Sequence, residues 1–310
     1  MMTNFDVIIV GGGPAGYTAA IYTARQKLKT LLLTQTSGGQ MVYTDNIENY
    51  PGFEKISGVK LLEIFRKQLS QYSDAKIIEG QKAESLKMKD QFFKVTTDKD
   101  EYQGKTIIIA AGKVPRHLNV SGEKELENKG VSYCPTCDGP LFTNKSVAVV
   151  GGGNSAIEAV LQLSKYTQEI YLLNIGPTLS GEKIRIEKIE KDPKVKIIGN
   201  AQVQEVFGLK LLEGLRYKDT KSGQIKDLKI SGMFVEIGYL PATDWLKGVV
   251  ELNKWGEIII DEKSKTSLEG VFACGDITQV PYKQIVIACG QGAIAALSAS
   301  NYLQDQQLFI

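Results

Sequence analysis

Two glycine turns constrain this chain more than any other feature, because each lies between an apolar strand signal and a small-residue helix signal. The first follows Phe5-Asp6-Val7-Ile8-Ile9-Val10 and reads Gly11-Gly12-Gly13-Pro14-Ala15-Gly16, before Tyr17-Thr18-Ala19-Ala20-Ile21. A continuous apolar run predicts a strand buried on both faces. Gly11 permits the tight turn, Gly13 lets the backbone approach a pyrophosphate, and Gly16 lets helix and strand pack closely. The helix start at Pro14 and Ala15 then offers N–H groups to phosphates. The pattern recurs at Gly151, Gly153 and Ala156, with Asn154 and Ser155 in the turn, between a strand over Ser146–Val150 and a helix over Ser155–Leu163. One such turn is weak evidence. Two in strand–turn–helix context predict two dinucleotide-binding folds.

Other segments fit around these turns. Thr106–Ile109 reads as a strand running into Ala110-Ala111-Gly112, and Val271–Cys274 runs similarly into Gly275-Asp276. Further strands are predicted at Phe92–Thr97, Val195–Ile198, Leu228–Ile230, Met233–Ile237 and Glu257–Ile260, and a tightly packed helix over Gly290–Leu303. Pro115 and Pro241 follow apolar strand signals, which places two domain crossings near residues 113–118 and 240–246. The expected fold class is α/β, with two Rossmann-like, three-layer ββα nucleotide-binding domains, the second inserted into the first. At 310 residues the chain is long enough for both cores.

Bulk properties narrow the partners. Thirty-seven basic and 35 acidic residues give a net charge of +2, which argues against a dedicated nucleic-acid face. No apolar run is expected to reach bilayer-spanning length, and the start lacks a basic leader with a cleavable apolar segment. The expected location is cytoplasmic, with no membrane partner.

Cys134-Pro135-Thr136-Cys137-Asp138 carries the chemistry. CxxC at a helical turn brings two sulfurs within disulfide reach, and a helix start lowers a thiol's pKa. Pro135 fits the first turn of a helix. Asp138 disfavours a neighbouring thiolate but suits proton delivery to a leaving one. Three uses compete: a redox dithiol, a structural disulfide and half of a metal site. The metal reading lacks ligands, since Cys274 and Cys289 are far away and His117 is the only histidine. Redox chemistry is preferred because the pair lies beside two nucleotide folds.

Together, Gly11–Gly16, Gly38-Gly39-Gln40-Met41, Cys134–Gly139, Gly151–Ala156, Gly238–Thr243 and Gly275-Asp276 resemble the low-molecular-weight thioredoxin reductase family. Asp244-Trp245-Leu246 and Val280–Ile285 are similar to its alkyl hydroperoxide reductase flavoprotein branch. The resemblance implies an FAD domain over 1–115 and 245–310, with pyrophosphate at Gly11–Gly16. Gly39, Gln40, Asn49, Gly112, Asp276, Gln284 and Ile285 would line the flavin. It implies a pyridine-nucleotide domain over 118–242 carrying the dithiol. Cys137 would face the flavin, Cys134 would attack a partner disulfide, and Asp138 would be the acid–base residue. Family members are homodimers that rotate one domain against the other, so that dithiol and nicotinamide take turns at the flavin. The implied partner is a thioredoxin- or glutaredoxin-like protein, because the branch's additional N-terminal redox domain is not expected ahead of this first strand.

The electron donor is less constrained. Neither second strand ends in the carboxylate that holds a ribose; the second ends at Asn174, followed by Ile175-Gly176-Pro177-Thr178 without charge. Asn174 as a ribose partner favours NADH over NADPH, although Lys183 and Arg185 lie nearby. Two alternatives remain: the same fold driven by ferredoxin or reduced flavin, and a flavin-binding interaction protein with a structural disulfide. Elsewhere the simpler readings hold: Lys183–Lys196 as a solvated helix face, Trp245 and Trp255 as packing anchors, His117 as a loop residue and Cys274 as a buried filler.

Overall fold

In the computed structural model, residues 4–43, 47–89 and 91–306 are described. The chain divides into two compact units, Met1–Val114 with Pro241–Ile310, and Pro115–Leu240.

The first unit begins with β1 (Asn4–Gly12), α1 (Pro14–Arg25) and β2 (Thr30–Ser37), followed by α2 (Gly58–Leu69) and β3 (Ala75–Glu79). A meander of β4 (Ala83–Lys89), β5 (Phe92–Thr97) and β6 (Glu101–Ile109) comes next. β1 pairs in parallel with β2 on one side and β6 on the other. Side-chain alternation explains the layers. Val7 and Ile9 pack with Tyr17, Ala20 and Leu61 beneath the helices, whereas Ile8 and Val10 pack with Leu86, Phe93 and Val95 beneath the meander. All four β1 residues are buried. Each contributes roughly 1.5–3 kcal/mol by leaving water.

The chain then crosses at β7 (Lys113–Pro115) into the second unit. There follow β8 (Val131–Ser132), α3 (Pro135–Asp138), β9 (Ser146–Val150), α4 (Asn154–Leu163), β10 (Glu169–Leu173), α5 (Lys183–Glu190) and β11 (Val195–Ile198). An antiparallel layer of β12 (Ala201–Phe207), β13 (Gly214–Asp219) and β14 (Ile225–Lys229) precedes β15 (Gly232–Val235). The parallel sheet has the order β11-β10-β9-β15-β8. Each unit thus combines a parallel sheet with antiparallel strands and helices, the Rossmann-like α/β design expected from the sequence.

β16 (Tyr239–Pro241), which pairs with β7, leads back to the first unit. β17 (Val271–Ala273) completes its sheet by pairing with Ile107–Ile109 of β6, and α6 (Ile285–Asp305) closes it.

Three sequence expectations need correction. Glu257–Ile260 is not a strand, because the Asn253 side chain accepts from the Trp255 and Glu257 N–H groups and turns the chain, leaving isolated bridges at Ile258. Trp255 is 67% exposed with Lys254 Nζ 4.4 Å from its ring, so it anchors no core; Trp245 does, donating to the Ala242 carbonyl at 2.9 Å. The last helix starts at Ile285 and runs 21 residues, long and apolar enough by composition to cross a membrane. Its packing accounts for that composition. Ala288, Ala295, Ala296, Ala299 and Leu303 lie in the same cluster as Tyr17 and Ala20.

The contact between α6 and α1 depends on Gly292, where a Cβ would lie 2.2 Å from the Ala15 carbonyl oxygen. Helix propensity alone favours alanine over glycine by about 1 kcal/mol. Overpacking opposes it by roughly 1–3 kcal/mol. Gly292→Ala is therefore expected to lower the thermal unfolding midpoint; an unchanged or raised midpoint would show that the helices are not held this closely.

Candidate active site

The second unit places Cys134 at the N-cap of the four-residue helix α3, with Pro135 in its first turn. Cys134 and Cys137 form a disulfide with a Cα–Cα distance of 5.3 Å. The Cys137 N–H donates to Cys134 Sγ at 3.1 Å. Cys137 is the more exposed of the pair. Among the described residues, no group of three His, Cys, Asp or Glu side chains is arranged to hold a metal.

Ser132 organises the surroundings, and nothing in the sequence pattern singles it out. Its hydroxyl accepts from the Cys134 N–H at 3.0 Å and donates to Asp138 Oδ2 at 2.6 Å. One side chain thereby ties the carboxylate to the dithiol turn. The segment before Cys134 is also fixed. Tyr133 donates to Glu123 at 2.8 Å, while Glu123 accepts the Leu118 and Asn119 N–H groups and His117 Nδ1 lies 2.7 Å from the Tyr133 hydroxyl. Burial and then the Glu123 carboxylate push the Tyr133 pKa up, so it remains a donor. His117 therefore belongs to a polar cluster and is more than a passive loop residue.

The glycine turn of this unit opens onto a cavity of about 600 Å³, lined by Gly151–Ser155, Asn174, Gln202, Glu236 and Arg116 among others. At Gly151, with φ 148°, a Cβ would meet the Glu236 carbonyl oxygen at 2.2 Å. Gly153 has open space, with only Ser180 Oγ 4.0 Å from such an atom. Ala156 is fully buried under the turn, while Asn154 and Ser155 are exposed at the helix start. Asn174 has a different task from the ribose contact suggested by sequence. Its amide donates to the Gly176 and Thr178 carbonyls at 3.1 and 2.7 Å, and its Oδ1 lies behind Gly152, 2.2 Å from where a Cβ would be. Arg185 pairs with Glu158 and Glu182.

A second cradle lies in the first unit. Gly16 must be glycine, since a Cβ there would fall 1.8 Å from the Gly11 carbonyl oxygen. Gly13 faces open space, as does Gly112, and Gly39 stands 3.3 Å from the Gly13 Cα by its absent Cβ. Gly275 meets Ala15, placing Asp276 beside the same turn. Burial raises the Asp276 pKa against the pull of Lys283 and Lys113. Gln40 donates to the Lys113 carbonyl at 3.5 Å, and Asn49 donates to Gln284 at 2.9 Å, next to Ile285 at the start of α6. A cradle closed by backbone on one side and free of side chains on the other suits an FAD pyrophosphate.

Two glycine-turn folds, one carrying an accessible disulfide with a tethered carboxylate, define a two-domain nucleotide-linked disulfide protein. Sequence comparison gives the family. The pyridine nucleotide-disulphide oxidoreductase profile matches residues 5–292, and the chain belongs to that FAD-binding family, in its low-molecular-weight thioredoxin reductase group. It is 44% identical over 304 residues to the flavoprotein component of alkyl hydroperoxide reductase from Escherichia coli (strain K12), and 42% identical over 299 residues to a Bacillus subtilis (strain 168) protein named NADH dehydrogenase. Each alignment covers 96% of this chain but 58% of the relative, so the chain spans little more than half the length of these curated relatives. The crystal structure of Lactococcus lactis thioredoxin reductase superposes with a TM-score of 0.86 at 35% identity, covering 97% of this chain and 99% of that one.

Burial pushes the Glu236 pKa from 4.5 up to about 8. The folded state then holds a proton that the unfolded chain releases above about pH 4.5. Stability at this position is complete below that pH, falls as pH rises towards 8, and is level beyond. Glu236→Gln lacks this dependence. Its stability advantage over the parent should widen across that window by at most about 1.4 kcal/mol per pH unit. Denaturant melts at pH 5 and pH 8 with an equal gap would show that Glu236 ionises normally.

Proposed function

We propose that this chain is a flavin-dependent disulfide oxidoreductase that passes electrons from NAD(P)H through FAD and the Cys134–Cys137 pair to a thioredoxin- or glutaredoxin-like protein disulfide. The observation supporting it most directly is the accessible disulfide whose neighbouring carboxylate, Asp138, is held by Ser132 against the same turn. FAD, held at Gly11–Gly16 and flanked by Gly39, Gln40, Asn49, Gly112, Asp276, Gln284 and Ile285, supplies a two-electron relay between nicotinamide and disulfide.

The protein's own groups divide the remaining work. Reduction of the disulfide takes two electrons and one proton, leaving one thiol and one thiolate. Cys137, the exposed sulfur, is assigned to the flavin side. Cys134 is assigned the thiolate, because its Sγ already accepts the Cys137 N–H and an anion strengthens that bond. The thiolate attacks a partner disulfide, forming a mixed disulfide and expelling a partner thiolate. Asp138 gives that thiolate a proton. Cys137 then loses its proton and attacks Cys134 Sγ, which restores the internal disulfide and releases the second partner thiolate.

NADH is the preferred donor. The Asn174–Thr178 loop is uncharged, Asn174 is engaged in holding that loop, and Arg185 is engaged by two carboxylates. No charge in that loop attracts a 2′-phosphate. The reading carries with it a cytoplasmic homodimer, where reduced nucleotide keeps the dithiol cycling.

Cys134→Ser tests the division of labour. In the FAD-loaded variant, NADH should still bleach the flavin spectrum anaerobically, while reduction of thioredoxin disulfide falls by at least about a thousandfold, as expected when a covalent nucleophile is lost. Normal transfer by the variant would refute the assignment of Cys134.

A further inference from the structure

The cavity of the second unit contains one acidic side chain that the dithiol chemistry does not use. Glu236 follows β15, and its N–H donates to the Val150 carbonyl at 2.8 Å, which fixes it beside the start of the Gly151–Gly153 turn. β9 is paired by β10 on one side and β15 on the other, so Glu236 stands at the point where the order of the parallel sheet reverses. Ligands of open α/β sheets bind in that crevice, at the carboxyl ends of the strands.

Glu236 is 8% exposed, lines the cavity, and its carboxyl has no hydrogen-bond or ion-pair partner among the described residues. A buried carboxyl without a partner is costly, and an unsatisfied group facing a cavity calls for a ligand that satisfies it. The two sides of the cavity also differ. On the β10 side Asn174 shapes the loop with its own hydrogen bonds. That side corresponds to the adenosine end of a dinucleotide laid over a glycine turn. Glu236 lies across β9 from it, where the other riboside belongs.

Resting on the reading that this unit binds a pyridine dinucleotide, we propose that the Glu236 carboxyl is the recognition group for the nicotinamide-riboside half, taking a hydrogen-bond donor from its ribose hydroxyls or its carboxamide. Held mainly protonated by burial near neutral pH, the carboxyl can stand beside a pyrophosphate without repelling it. Arg116, on the same cavity wall, is the cation facing this end.

Calorimetric titration of the FAD-loaded protein with NAD+, ADP-ribose, 3-acetylpyridine adenine dinucleotide and AMP tests the proposal. Glu236→Leu should weaken NAD+ binding roughly tenfold to a hundredfold, as expected for a lost hydrogen bond in a buried site, and leave AMP binding unchanged. Glu236→Ala repeats the measurement should leucine not fit, and Glu236→Gln should retain most of the affinity because its amide oxygen still accepts. If ADP-ribose, which has the second ribose but no carboxamide, loses affinity as NAD+ does, the ribose hydroxyls are the donors. If ADP-ribose is unaffected and the acetylpyridine analogue binds the parent as weakly as NAD+ binds the leucine variant, the carboxamide is the donor. Equal NAD+ affinity in parent and leucine or alanine variants, with AMP bound by both, would overturn the role of Glu236 and leave the nucleotide reading intact. A parent protein that binds neither NAD+ nor AMP would overturn both.

Discussion

Backbone pressed against backbone at the glycine turns is the contact on which the rest of this molecule depends. The Gly11 carbonyl occupies the space that a Cβ on Gly16 would need, and the Glu236 carbonyl does the same at Gly151. Without those approaches α1 and α4 could not start directly over the carboxyl ends of β1 and β9. Their first N–H groups would then point elsewhere, and neither cradle would exist. Gly292 extends the same device to α6, so three chain segments far apart in sequence converge around one turn.

The dithiol rests on different physics. α3 is too short to hold itself together by helical hydrogen bonds, since nucleation is unfavourable and little propagation follows. Side chains hold it instead: Ser132 bridges Cys134 and Asp138, and Thr136 donates to Gln162 of α4 at 2.8 Å. A turn anchored at both ends keeps its sulfurs and its carboxylate in register when the disulfide opens. That persistence lets one carboxylate serve both halves of an exchange reaction.

Much of the fold was legible in the sequence, because it is written in local terms. Apolar runs such as Val7–Val10 and Val147–Val150, each followed by glycines, announce strand and turn without reference to anything distant. The failures share a cause. Glu257–Ile260 has the right apolar pattern, but Asn253 bends the chain four residues earlier. Trp255 carries a core-type side chain on a turn that leaves it outside. The site was legible to the same extent. The cysteines and glycines declare their chemistry by spacing, whereas Ser132 and Glu236 acquire theirs from burial and from partners that only folding supplies. Asn174 shows the limit well: its position suggested a ligand contact, while its hydrogen bonds close its own loop.

The central claim is that electrons entering from a pyridine nucleotide reach the sulfurs of Cys134 and Cys137. An anaerobic titration of the FAD-loaded protein with NADH, quenched in acid and followed by a thiol count in denaturant, tests it directly. The oxidised protein has two free thiols, Cys274 and Cys289. The account requires the count to reach four as the flavin absorbance bleaches. Bleaching with the count fixed at two would contradict it, because the disulfide would then be structural and the electrons would stop at the flavin.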